Sequence, residues 1–346
     1  MWSDLPTTMI FGAFFASAGV VFFSGLRMTG LADRLADRTG LGEALVGAVL
    51  LGAATSLSGT IVSITAALDG RASLAFSNSV GGIAAQTVFL AVADMFYRKT
   101  NLEHAAADLG NVFHGLVLMV LLTLPFIAWT TPEVTIWSIH PVSFAIPLVY
   151  AVGLAAGRHI RESPMWTPVA TGDTRADELE AEEPELRAVR TSRLFLAFGL
   201  LMLVMGAAGY VIAKSASELA DRFQIADSVA GALATAVVTS LPELVTTVAA
   251  VRRRALQLAV GGIIGGNTFD MLFLTAADIS YRDGSLYHAV GDRDYFWVVV
   301  ALLMTGILIG GLILRQRQGP ARIGAESVLL MSIYAGAAAL QFLAWR

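Results

Sequence analysis

Two acids stand in stretches where acids are rare. Glu243 closes the run Thr239-Ser240-Leu241-Pro242-Glu243, and Asp270 closes Gly265-Gly266-Asn267-Thr268-Phe269-Asp270, each inside a long apolar segment. Proline has no amide hydrogen and displaces the carbonyl one turn earlier, near Val238, so the helix around Pro242 must break. Freed carbonyls, two hydroxyls and a carboxylate then gather near the middle of a span, an oxygen set that suits hard cations. An ionised carboxylate in hydrocarbon is costly unless it is paired or metal-bound. No Lys or Arg lies within either span, so a cation or a proton must compensate these acids. The hydroxyls alone would say less, because Ser and Thr commonly bond back to their own helix.

The elements that must hold these residues follow from composition. Of 346 residues, 56% are hydrophobic and 14% charged, more apolar surface than a soluble domain can hide. The apolar residues form stretches of about 20, the length that crosses roughly 30 Å of hydrocarbon as a helix. Ten spans are predicted, over 9–26, 44–68, 74–96, 112–129, a proline-containing one ending at 157, then 194–213, 229–251, 256–277, 295–314 and 327–345. The chain thus reads as an all-α polytopic membrane protein. Its first span is too long for a signal-peptide core and no small-residue cleavage site follows it.

Several functions are excluded at the same time. Net charge is −4 and the basic residues are scattered through loops, so nucleic acid is not a partner. With no cysteine there is no disulfide framework, thiolate metal site or thiol nucleophile. No Ser/His pair or His/Asp metal cluster appears, which argues against an enzyme and against a resident cofactor. The histidines lack ligand spacing and read as structural.

Lys and Arg placement sets the expected orientation, because cytoplasmic loops retain positive charge. With both termini extracytoplasmic, 17 of the 23 basic residues fall in inner loops, and Arg71, Lys214, Arg222, Arg282, Arg293 and Arg346 fall outside. Trp2, Trp129, Trp137, Trp297 and Trp345 then sit at the outer interface, where amphipathic rings are favoured. Residues 158–193, with the acidic run 177–183, read as a solvated cytoplasmic linker. A multi-pass plasma-membrane or inner-membrane location follows, as a monomer or a homo-oligomer.

The two halves repeat. Leu35-Ala36-Asp37-Arg38 recurs as Leu219-Ala220-Asp221-Arg222, an offset of 184 that holds without a gap for sixty residues. It places Thr55-Ser56-Leu57 on Thr239-Ser240-Leu241, Gly81-Gly82 on Gly265-Gly266, and Ala93-Asp94 on Ala277-Asp278. Five spans per half is an odd number, so corresponding helices cross in opposite directions. The predicted organisation is a first half over 1–157 with its repeat at about 44–96, the linker, and a second half over 194–346 with its repeat at about 228–280. Inverted repeats are a route to alternating access, since each half can adopt the other's conformation.

The motifs of the second half, Thr239-Ser240-Leu241-Pro242-Glu243-Leu244 and Gly265-Gly266-Asn267-Thr268-Phe269-Asp270, resemble the second α-repeat of the sodium/calcium exchanger branch of the cation/calcium exchanger superfamily. The first repeat is a degenerate copy. The resemblance implies cation ligands at Glu243, Asp270, Thr239, Ser240 and the Ala236 carbonyl, with Thr55, Ser56 and the Gly52 carbonyl matching in the first half. Gln86 stands where the family places an amide ligand, usually Asn. The pattern departs at Gly59, in place of the first-repeat glutamate, at Ser58, in place of its proline, and at Gly82 and Gly266, in place of small hydroxyl ligands.

Two carboxylates instead of about three still neutralise one Ca²⁺, whereas three sodium ions are harder to accommodate. The expected function is therefore Ca²⁺ transport in exchange for Na⁺ or H⁺ through one central site, with Gly59→Glu expected to strengthen cation binding. The alternatives are a Na⁺/H⁺ or other monovalent exchanger, favoured by the lower charge, and a scaffold or sensor that kept the fold and lost transport. Asp94 and Asp278, equivalent under the offset, either line the two ion entrances or act as interfacial acids that cap a helix. Ser77 and Asn78 have no polar counterparts at Gly261 and Gly262 and read as packing residues.

Overall fold

The computed structural model describes residues 2–39, 55–97, 99–174, 190–319 and 323–344. The first half contains α1 (Thr7–Thr39), α2 (Leu57–Leu68), α3 (Ala72–Asp94), the single-turn α4 (Leu102–Ala105), α5 (Leu109–Thr130) and α6 (Val142–Glu162). The second contains α7 (Thr191–Phe223), α8 (Asp227–Thr239), α9 (Leu241–Arg253), α10 (Leu256–Ser280), the single-turn α11 (Leu286–Ala289), α12 (Asp292–Leu314) and α13 (Ala325–Ala344). The only β feature among the described residues is an isolated bridge between Ile136 and Ile139.

The offset of 184 survives in the helices. It carries both ends of α1 onto both ends of α7, the start of α3 onto the start of α10, and α4 onto α11. Among the described residues, eight helices are long and apolar enough to cross a membrane, or nine when the bent pair α8 and α9 counts as one span. Of the expected second span, 44–68, the part from residue 55 is described and carries α2; residues 44–54, with Gly52, lie outside the described residues. The acidic run 177–183 also lies outside them. The described start of the linker is tied to the bundle, Arg317 Nε donating to Asp173 at 2.7 Å and His104 Nε2 meeting Thr171 Oγ1 at 3.0 Å.

Two helices outrun their predicted spans. α1 and α7 each continue about three turns past the apolar stretch, because no proline interrupts them and polar groups at a helix end are easily solvated. α7 then stops at Gln224, whose left-handed φ of 53° ends the helix. These two helices pack along each other at the periphery. The centre belongs to α3, which is 89% buried along its span against 28% for α7. It contacts α2, α8, α9, α10, α12 and α13.

Near the centre, close approach is made by glycine. A Cβ on Gly81 would lie 2.5 Å from the Ala232 Cα, and one on Gly25 would lie 2.5 Å from the Pro242 side chain, so α3 meets α8 and α1 meets the break almost backbone to backbone. Ser77 and Asn78 serve packing. Ser77 donates to Asp294 at 2.6 Å, and Asn78 donates to the Gly59 carbonyl and Ser63 while accepting from Thr235. Of the tryptophans expected at the interface, Trp137 is exposed and Trp297 is fully buried, 5.7 Å from the Tyr334 ring, on the face of α12 that turns toward α13.

Candidate functional site

The break predicted at Pro242 is present. α8 and α9 meet at 44° around Ser240, with a π-helical stretch over Ala230–Thr235 just before it. Proline occupies the first turn of α9, where its missing amide costs nothing, and Glu243 follows in that same turn. A carboxylate there is favoured by the free amides of the helix start.

The centre is built across the two halves by residues that the offset pairs. Gln86 on α3 corresponds to Asp270 on α10, and the two touch: Gln86 Nε2 donates to Asp270 Oδ2 at 2.6 Å. Ser56 and Ser240 are likewise equivalent, and each reaches the other half. Ser56 donates to Asp270 Oδ1 at 2.7 Å, and Gln86 Nε2 lies 3.3 Å from Ser240 Oγ. The two bonds to Asp270 are the short ones.

Glu243 is treated differently. It is 5% exposed, Thr55 of the other half lies against its carboxylate, and neither carboxylate oxygen has a hydrogen bond of good geometry among the described residues. Gln86 Oε1 is unpartnered as well. Buried acceptors without donors are uncommon and costly. Chemically, an arrangement of acceptor oxygens with two acids and no ammonium or guanidinium group attracts a cation.

The remaining predicted ligands are less free. Thr239 donates its hydroxyl to the carbonyls of Thr235 at 2.9 Å and Ala236 at 3.3 Å, and the Ala236 carbonyl also receives the Ser240 amide at 3.1 Å. Gly82 leaves ordinary contact distance to Asp270 and Ser240, 3.5 and 3.6 Å from its would-be Cβ, whereas Gly266 is tighter, 3.1 Å from Gln86 Oε1. Gly59 does not face open space. A Cβ there would lie 2.7 Å from the Phe273 ring, so Gly59→Glu cannot simply add a ligand.

Sequence reasoning passed over three polar neighbours. Ser79 donates to the Asp270 carbonyl at 2.7 Å, and Asn267 Nδ2 donates to Thr87 at 3.0 Å while its Oδ1 stays unpartnered. Ser79 and Asn267 correspond under the offset to Ile263 and Ile83, so the comparison of halves gave them no signal.

Asp94 and Asp278 are fully buried. Asp94 accepts the Leu102 amide at 2.9 Å and the Gly324 amide at 2.8 Å. Asp278 accepts the Leu286 and His140 amides at 2.8 Å each and the Ser143 hydroxyl at 2.7 Å. Leu286 and Gly324 lie 184 positions beyond Leu102 and His140. Each aspartate therefore clamps the turn after its own helix to the start of the last helix of the opposite half. Carboxylates satisfied by backbone amides have little left for ions, which favours the helix-capping alternative over the ion-entrance one.

This all-helical architecture, with a two-acid centre shared between repeated halves, defines a class of membrane carrier. The chain belongs to the sodium/calcium exchanger protein family, whose model matches residues 9–156 and 192–343. CaxA of Alkalimonas amylolytica is 25% identical over 312 residues, covering 88% of this chain and 92% of that protein. The inner membrane protein YrbG of Escherichia coli is 32% identical over 128 residues, 37% of this chain and 38% of that protein. The fold is similar to the sodium-calcium exchanger NCX_Mj, with TM-score 0.62 at 17% identity over 96% of this chain and 99% of that one. It is also similar to the H⁺/Ca²⁺ exchanger CAX, with TM-score 0.69 at 13% identity over 97% and 86%.

Proposed function

We propose that this multi-pass membrane protein is a cation antiporter that moves Ca²⁺ against Na⁺ or H⁺ through the centre formed by Glu243, Asp270, Gln86, Ser56, Ser240, Thr55 and Thr239. The resemblance adds the carbonyl of Ala236 and that of Gly52, which lies outside the described residues. The observation that carries the reading is the buried, unpartnered oxygens of Glu243 and Gln86 beside Asp270, with no basic side chain in their spans. Family membership supports it, as do the antiporter name of CaxA and the exchange named for NCX_Mj and CAX.

The transport cycle is alternating access between two inverted five-helix halves, 1–157 and 194–346, joined by the 158–193 linker on the cytoplasmic side. The repetition of helices and clamps at one offset supports this organisation, because equivalent halves can exchange conformations. Asp270 accepts from two donors, Ser56 and Gln86. An arriving divalent cation would compete with them for its oxygens and would meet Glu243 with Thr55 against its carboxylate.

Flux in proteoliposomes tests the assignment. Glu243→Gln and Asp270→Asn should each abolish Ca²⁺ exchange in protein that still purifies folded. Wild-type flux in either variant would refute the site. If Ca²⁺ leaves Na⁺ binding untouched, the monovalent Na⁺/H⁺ reading takes its place.

A further inference from the structure

The packing around Gly59 bears on how many charges the centre passes in each cycle. A Cβ on Gly59 would sit 2.7 Å from Phe273 Cε2, 3.3 Å from Cζ and 3.5 Å from Thr239 Oγ1. Real Cβ atoms do not approach a carbon to 2.7 Å, so the ring fills the space into which a side chain at this position would grow. That space adjoins Thr239 and lies one turn from Asp270 along α10. The ring is also wedged in place: Phe273 is 3% exposed and meets Phe269 edge-on at 6.4 Å, which in turn meets Tyr150 at 6.1 Å.

The other half has the same pair of positions with the opposite outcome. Glu243 occupies the place equivalent to Gly59, and Phe89, the counterpart of Phe273, is only partly buried. Where the carboxylate is kept, the phenylalanine is not packed fully inside. Where the carboxylate is missing, the ring has taken its volume.

We infer that Phe273 is a specificity-determining residue that holds the centre at two negative charges, so that one divalent cation exchanges for two monovalent cations or protons and no net charge crosses the membrane. This rests on the exchange reading. Glu243 and Asp270 together balance one Ca²⁺ or two monovalent ions. A third monovalent ion would add charge in low-dielectric surroundings with no counter-charge, and Phe273 excludes the acid that would supply it.

The test is Ca²⁺ flux by the full chain in proteoliposomes, driven by a Na⁺ or H⁺ gradient, with the membrane potential set by K⁺ and valinomycin. Wild-type flux should be the same at every potential. Gly59→Glu alone should lose flux, and Gly59→Glu combined with Phe273→Ala should regain it and acquire dependence on potential. Wild-type flux that accelerates with potential would overturn the inference, as would full flux from Gly59→Glu with Phe273 in place. The wild-type measurement decides the matter even if the double variant does not fold. No cation flux at all in the wild type, under any gradient, would overturn the exchange reading and this inference with it.

Discussion

The two clamps and the two sides of the centre evolved under one offset, yet they differ in how much symmetry they keep. Asp94 and Asp278 make nearly the same bonds, each to an amide eight residues on and to an amide at the head of the opposite half's last helix. At the centre the equivalent positions carry Gly59 against Glu243 and Gln86 against Asp270. The clamps answer a packing demand that is identical in both halves, since every helix start presents unpaired amides. The proposed centre would answer a charge demand that belongs to the molecule as a whole. A cation between the halves would be neutralised equally well by acids from one side, so symmetry there is dispensable.

The largest effects should come from breaking the clamps. Asp94→Asn and Asp278→Asn each leave a buried amide without its charged acceptor, at a cost of about 2–3 kcal/mol apiece. Thermal unfolding in detergent should show similar drops for both. A large drop for one and none for the other would mean that the two ends are not equivalent supports.

The centre should respond unequally, with smaller shifts. In chelator, Asp270→Asn removes the ionic acceptor of Ser56 and Gln86 and should destabilise by about 1–3 kcal/mol. Glu243→Gln removes an unpartnered buried acid and should leave the midpoint unchanged or raise it. Added Ca²⁺ should raise the wild-type midpoint and neither variant's, because only a bound ligand shifts the folded state.

The smallest effect separates the two clamp regions from each other. Glu103, on α4, corresponds to Tyr287 on α11, whose hydroxyl meets Ser143 at 2.9 Å. Glu103 is 1% exposed with neither oxygen partnered among the described residues. Burial, then the nearby Asp94 and Glu326 charges, pushes its carboxyl well above the usual carboxylate range. An acid raised in this way keeps its full contribution to stability below the ordinary carboxylate range and loses it as pH rises through the raised value. Wild-type protein should therefore lose unfolding temperature between mildly acidic and alkaline pH. Glu103→Gln should flatten that decline, and an unchanged slope would assign the titration elsewhere.

The break at Pro242 was readable from one proline, and Gln86, Ser56 and Asp270 were named as candidates by the resemblance. That Gln86 and Ser56 of the first half both bond to Asp270 of the second was decided by packing. That Trp297 is packed against Tyr334 was not readable, because apolar periodicity locates a span without saying which face meets protein and which meets lipid. Asp94 and Asp278 were seen as a pair, but their partners lie at Leu102, Gly324, Leu286 and His140, residues whose amides carry no mark in side-chain type.

By itself the sequence determined that the chain is rich in membrane-length apolar segments, that one offset of 184 relates its halves, and that two acids lie in apolar segments with no basic residue beside them. Those are properties of composition, periodicity and charge in a low-dielectric solvent, and they need no neighbours. Tertiary structure decided which acids are spent on backbone amides and which are left open, and it placed Phe273 in the volume that Gly59 vacated. Hydrogen-bond satisfaction and excluded volume depend on atoms brought together from distant parts of the chain, so only the packed bundle could settle them.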